Sequence, residues 1–222
     1  MIELYWGSGS PWAWRVMLAL AVKGVEYQSR LLSFSEGDHK ADGFLALNPR
    51  GQVPCLRDGD VCVYESLAIV AYLDRRFPEP PLLGRTPAET GRVFQTILEF
   101  EHHGVPIIND RVTRRIFRGQ AVDYAEEIRE AAPAARAELA RLDARLDGRE
   151  WLVGDAVSAA DLGVYPHLQL LLRALGKPDA RDLDLGLTPF DTVFPALAAW
   201  CRRVEALPGY DATYPPHWRE AP

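Results

Sequence analysis

Residues 52–66 read QVPCLRDGDVCVYES, and this stretch decides how the first third of the chain folds. Two short apolar runs, Val53 to Leu56 and Val61 to Tyr64, flank Arg57-Asp58-Gly59-Asp60. An Asp-Gly pair between such runs signals a hairpin, because the tight turns that join twisted antiparallel strands need residues tolerant of positive φ. After Tyr64 the period changes. Ser66 to Arg76 carries helical spacing and is closed by Pro78-Glu79-Pro80-Pro81. Pro54 is the odd residue, because a proline cannot donate to a ladder and within a strand marks an edge, a start or an unusual bond. On the dipeptide Val53-Pro54 alone, an ordinary trans proline is the default. A cis bond would turn the Val53 N–H and C=O outward, where they can pair with an extended peptide in the manner of an added strand.

Upstream, residues 2–6 read as a strand, Pro11 opens a helix from Trp12 to Lys23, and Gly24 stops it. Val25 to Leu32 reads as a second strand, followed by a polar loop over 33–43, a short helix at 44–47 and a turn at Asn48-Pro49-Arg50-Gly51. The order is β-α-β and then β-β-α. The first unit implies parallel strands with a right-handed crossover, and the hairpin adds antiparallel strands to the same sheet. Downstream of a proline-rich stretch the strand signals vanish. Residues 89–117, 121–146, 159–175 and 195–207 all show helical spacing. Ser158-x-x-Asp161 is a capping box, with Val157 and Leu162 placed to form a hydrophobic staple. The organisation expected is an α/β domain at 1–79, a linker at 80–88 and an all-helical domain at 89–222.

The chain has 222 residues, 48% hydrophobic and 25% charged, enough to bury a full core. A net charge of -6 gives no basic field, so neither nucleic acid nor an anionic membrane is an expected partner. No apolar run approaches the ~20 residues of a membrane span, and no secretory leader is apparent. Cys55, Cys62 and Cys201 form neither a metal-ligand spacing nor a disulfide framework. No metal is expected, and a reducing cytoplasm is the plain location. Cys55 and Cys62 fall in apparent strands, where buried, inert thiols are expected.

Two further places can carry chemistry. Ser66 starts a helix, so its hydroxyl and the free N–H groups beside it suit a carboxylate, while Glu65 suits an ammonium. Such a pair fits the α-amino acid end of a ligand, although a simple capped helix uses the same residues. In Gly7-Ser8-Gly9-Ser10-Pro11, small residues let a ligand approach the backbone. Ser10 either only caps the helix or also donates to an anion such as a thiolate, which the helix N-terminus favours too.

Taken together, Leu4-Tyr5-Trp6, Ser8-Gly9-Ser10-Pro11, Trp14-Arg15-Val16, Leu47-Asn48-Pro49, Gln52-Val53-Pro54-Cys55-Leu56, Tyr64-Glu65-Ser66 and Gly154-Asp155…Ser158-Ala159-Ala160-Asp161 resemble the cytosolic glutathione transferase superfamily. The match is to its serine-type classes, with zeta-like features. The resemblance implies a thioredoxin-like N-terminal domain, a helical C-terminal domain, a homodimer and a cis Pro54. It implies that glutathione is the co-substrate, addressed by Gln52, Val53 and Pro54 at its cysteinyl backbone and by Glu65 and Ser66 at its γ-glutamyl end. His39 or Lys40 would meet its glycine carboxylate. Ser10 would activate the thiol for transfer to a small hydrophobic electrophile, as in detoxification, with Tyr5 as the rival activator. Trp12, His103, Ile107 and Arg111 are candidates to line the electrophile site. The zeta pattern has a cysteine after its serines. Here Ser10-Pro11-Trp12 lacks it, which puts isomerase activity in doubt. A glutathione-dependent isomerase and a non-catalytic glutathione-binding protein of the same fold are the alternatives.

Overall fold

The computed structural model describes residues 1–219. The chain divides into two compact units: Met1–Leu83 with the described residues from Ala206 onward, and Gly84–Glu205. The segment beyond Glu205 therefore groups with the first unit, whereas the expectation of one helical domain over 89–222 assigns it to the second.

The first unit runs β1 (Ile2–Trp6), α1 (Pro11–Val22), β2 (Gln28–Leu31), α2 (Asp42–Leu45), β3 (Cys55–Asp58), β4 (Val61–Tyr64) and α3 (Ser66–Arg76). The sheet order is β2-β1-β3-β4, with β2 parallel to β1 and the hairpin strands antiparallel. This is the expected mixed sheet. Register pairs Leu4 with Leu56 and Leu56 with Val63, and Leu4 and Leu56 are fully buried. Helix α1 is buried continuously from Ala13 to Leu20, as befits a helix that is apolar nearly all round. Its C-terminal end is tied to α3. Lys23 Nζ donates to Asp74 Oδ1 at 2.8 Å and to the carbonyls of Phe77 and Pro80, both at 2.7 Å. The Asp74 carboxylate also accepts from the amides of Leu82 and Leu83.

Three local expectations shift. Residues 25–27 precede β2 rather than belong to it, and β3 begins at Cys55, so Val53 and Pro54 lie ahead of the ladder. The Val53–Pro54 bond is cis. Cys55 is buried, but Cys62 is exposed, because β4 is the last strand of the sheet and three of its four residues are open to solvent.

The second unit runs α4 (Pro87–Glu99), α5 (Arg114–Phe117), α6 (Ala125–Arg145), α7 (Ala159–Leu175), α8 (Pro178–Arg181), α9 (Phe190–Val193) and α10 (Pro195–Glu205). A further turn of helix, α11 (Tyr210–Thr213), lies in the returning segment. The helix expected over 89–117 forms, but it is not α-helical throughout. Between α4 and α5 the backbone widens into π-type turns at Phe100–Gly104 and Pro106–Thr113. Pro106 lacks the amide that an α-helical ladder needs and Gly104 weakens it further, so the chain takes the wider hydrogen-bond pattern.

Helix α7 is the axis of this unit, and its capping box forms as expected. Asp161 does more than cap. Its carboxylate is fully buried and accepts from the Leu152 amide (2.9 Å), the Ser158 amide and hydroxyl (both 2.9 Å) and the Trp200 indole N–H (2.8 Å). One side chain thereby fixes a loop, a helix start and the indole of α10. Asp161→Ala would leave the N–H groups of Leu152, Ser158 and Trp200 buried without this acceptor. We expect a loss of about 3–5 kcal/mol, read from the urea midpoint at unchanged slope. A loss below ~1 kcal/mol would show that the three donors find other partners.

Candidate functional site

Two helix N-termini of the first unit are brought together by one buried cation. Arg15, 1% exposed, is the lone charge in the apolar α1. A buried guanidinium requires hydrogen-bonded partners. Its Nη1 donates to Ser66 Oγ at 3.1 Å, and its guanidinium carbon lies 5.1 Å from the centroid of Trp12. Ser10, the N-cap of α1, thus stands on a helix locked to the one that Ser66 begins.

Ser10 Oγ accepts from the Ala13 amide at 3.3 Å, and Pro11 occupies the first helical position. The cap uses the hydroxyl oxygen and leaves its proton able to donate elsewhere. The turn ahead of it closes through Ser10 N–H to Gly7 O at 3.1 Å. Tyr5 lies at the end of β1 with its ring 6.0 Å from that of Phe44.

Glu65 precedes α3 with φ 70°, a left-handed conformation uncommon for a residue with a side chain. Such strain collects at ligand sites. Glu65 is exposed, whereas Ser66 is 6% exposed. Positive charge from Arg15 and from the α3 dipole converges on Ser66.

The turn carrying Gln52 is organised by Asn48, a buried side chain whose Nδ2 donates to Gln52 O at 2.7 Å and whose Oδ1 accepts from the Arg50 amide. Val53 follows, outside the sheet's pairing. The other wall of this turn is the 38–40 segment. Lys40 Nζ donates to the carbonyls of Gly51 at 3.0 Å and Arg50 at 3.4 Å. Gly51 has φ 59°, and a Cβ there would come within 2.8 Å of both His39 O and Lys40 Nζ. The two candidates for a carboxylate therefore differ. Lys40 is committed to backbone carbonyls, while the buried Nδ1 of His39 makes no hydrogen bond among the described residues.

The chain's last described segment reaches the same loop. His217 Nδ1 and Ser8 Oγ are 2.6 Å apart. Gly9 has φ 81°, and a Cβ there would meet the His217 ring at 3.1 Å. Trp14 anchors the segment through Nε1 to Thr213 Oγ1 at 2.9 Å, with Tyr214 and Trp218 edge-on against its ring. Ser8 is thus engaged with His217, whereas Ser10 is engaged only as a cap.

Of the residues expected to line the electrophile site, Trp12 sits in the first unit beside Arg15. His103, Ile107 and Arg111 follow one another at steps of four along the wide-turn segment of the second. His103 and Arg111 are exposed and Ile107 half-buried. His103 also borders a groove that includes Glu99, Glu138 and Arg145. Among the described residues, no group of three or more His, Cys, Asp or Glu side chains is arranged to hold a metal ion, and no helix is long and apolar enough to cross a membrane.

Arg15 and Asn48 stand inside quoted motifs without a role assigned to either, and His217 lies outside every motif. Arg15 carries a legible signal, a single charge in an apolar helix. His217 carries none, since its partner is 209 residues away.

Residues 9–76 match the family model described as glutathione S-transferase, N-terminal domain, and residues 123–203 match its C-terminal counterpart. Glutathione S-transferase A of Pleuronectes platessa is 31% identical over 231 residues, covering 100% of this chain and 94% of that protein. Glutathione S-transferase Z1 of Arabidopsis thaliana is 47% identical over 81 residues, 36% of each. A crystal structure of a glutathione S-transferase from the Antarctic clam Laternula elliptica superposes with a TM-score of 0.83 at 30% identity, covering 99% of this chain and 94% of that one.

The Ser8–His217 contact makes a checkable claim about the loop. In His217→Ala, amide exchange at Ser10 should accelerate about tenfold while exchange in the middle of α1 stays unchanged. Equal exchange at Ser10 in both proteins would show that the loop holds itself.

Proposed function

This chain belongs to the glutathione S-transferase family, and we propose that it joins the glutathione thiolate to a hydrophobic electrophile, with Ser10 activating the sulfur. The observation that carries the assignment is the state of the Ser10 hydroxyl. It caps α1 through its oxygen, so its proton is available to a thiolate at the positive end of the helix.

A free thiol is only a few per cent thiolate at neutral pH, and the thiolate is the nucleophile. A hydrogen bond from Ser10 favours the anion over the thiol, at about 1.4 kcal/mol for each unit by which the thiol's pKa falls. The peptide itself is addressed elsewhere. Val53, outside the ladder, pairs with the cysteinyl backbone, and Gln52 lies beside it. Glu65 takes the α-ammonium, and Ser66, with Arg15 behind it and α3 beginning there, takes the adjoining carboxylate. His39 rather than Lys40 receives the glycine carboxylate, since Lys40 is spent on the Gly51 turn. Within the first unit, Trp12, stacked beside Arg15, is the side chain offered to the electrophile. Proximity supplies the remainder of the rate. A homodimer acting in the cytoplasm on foreign electrophiles is part of the same reading.

Ser10→Ala should lower kcat/KM for conjugation of a generic aryl halide about a hundredfold and raise the pKa of the bound thiol, followed by thiolate absorbance. Tyr5→Phe should change neither. The reverse pattern would transfer the role to Tyr5. Glu65→Gln and His39→Ala should raise KM for glutathione about tenfold with kcat little changed. An effect on kcat alone would place them outside the peptide seat.

A further inference from the structure

Cys55 and Cys62 lie on the two strands of the β3–β4 hairpin. Their neighbours across the ladder are Tyr64 and Arg57, so the two cysteines are diagonal partners on one face. Their sulfurs are 3.3 Å apart. Cys55 is buried and Cys62 exposed. Burial, reinforced by the neighbouring Cys62 thiol, pushes the Cys55 thiol well above its ordinary range. Cys201, in the second unit, is buried with its thiol pushed up to about 12. An accessible thiol in contact with a sheltered one is the arrangement in which a first sulfur is attacked from solvent and a second resolves it.

We propose that Cys62 and Cys55 form a thiol–disulfide exchange site that a small-molecule disulfide such as oxidised glutathione closes into an intrachain Cys55–Cys62 disulfide. Cys62 enters because it alone of the two meets solvent. It gives its proton to water, and its sulfur attacks one sulfur of oxidised glutathione. A Cys62–glutathione bond forms, the glutathione S–S bond breaks, and one glutathione leaves as a thiolate that takes up a proton. Cys55 then loses its proton and attacks Cys62 Sγ. The Cys55–Cys62 bond forms, the mixed disulfide breaks, and a second glutathione leaves. Two protein thiols are oxidised and one glutathione disulfide is reduced to two thiols. The sulfurs need to close from 3.3 Å to the ~2.0 Å of a disulfide, a movement within reach of the last strand of a sheet. Neither step involves Ser10, so the site stands or falls independently of the transferase reading. Its location gives it a consequence: the hairpin begins directly after Val53-Pro54 and ends directly before Glu65-Ser66, so the bond would staple the two strands that lead to both ends of the proposed peptide seat.

The full chain, reduced and freed of reductant, is incubated with oxidised glutathione, quenched by alkylation and weighed intact. The expected product has lost the mass of two hydrogens. Arg57 lies between the two cysteines, so trypsin should release residues 51–57 linked to residues 58–75. Cys62→Ser should leave the mass unchanged, since the cysteines that remain are buried. Cys55→Ala should stop at one glutathione on Cys62. A wild-type chain that halts at the mixed disulfide, yields no linked pair, or reacts equally well as Cys62→Ser would overturn the proposal. The linked pair and the Cys62→Ser result decide it even where Cys55→Ala does not fold.

Discussion

The buried guanidinium of Arg15 is the contact on which the first unit's chemistry rests. A positive charge at 1% exposure is unfavourable unless hydrogen bonds replace its water. Here one of its nitrogens donates to Ser66 Oγ, so the cost of burial holds two helix N-termini in a fixed relation. One begins at Ser10, the proposed activator of the thiol. The other begins at Ser66, the proposed seat of a carboxylate. A leucine at position 15 would fill the same apolar helix and leave those two ends uncoupled.

The same device recurs wherever the fold must be precise. Lys23 and Asp74 close the far ends of α1 and α3 with the pair's remaining valences spread over Phe77, Pro80, Leu82 and Leu83. Asp161 does the equivalent in the second unit with four donors. In each case a buried charge has a partner for its geometry rather than one salt bridge for its sign. Such groups contribute uniqueness more than raw stability, because a wrong arrangement would strand several polar groups at once. Apolar surface supplies the driving force around them, as in the continuously buried stretch of α1 and the core of α7.

Much of this was legible in the sequence because it is local. The hairpin around Asp58-Gly59, the helix stop at Gly24 and the capping box at Ser158 and Asp161 depend on neighbours within a few positions, and short-range pattern reads them. The mixed sheet followed from element order. The widened turns between α4 and α5 are not legible in the sequence because π-type and α-type spacing share apolar positions over so short a span, and only Pro106 hints at the change. The exposure of Cys62 departs from the expected burial because an alternating strand pattern does not reveal which strand lies last in the sheet. At the candidate site, the positions of Ser10, Val53, Glu65 and Ser66 beside turns and helix starts are local and legible, while the roles proposed for them rest on the family resemblance. The difference between His39 and Lys40 depends on how two loops meet, and His217 depends on a contact across nearly the whole chain. No window of neighbouring residues contains either fact.

That long-range contact bears on the order in which the protein can be completed. The strands, α1 and α3 are all synthesised before the second unit begins, and their mutual contacts need nothing that comes later. The loop ahead of α1 is different. Its Ser8 waits for a histidine made after the entire second unit. During translation this loop, made ahead of α1, is therefore among the last parts of the first unit to reach its final surroundings. A chain interrupted before Tyr210 would carry every strand of the sheet and yet lack the partner of Ser8.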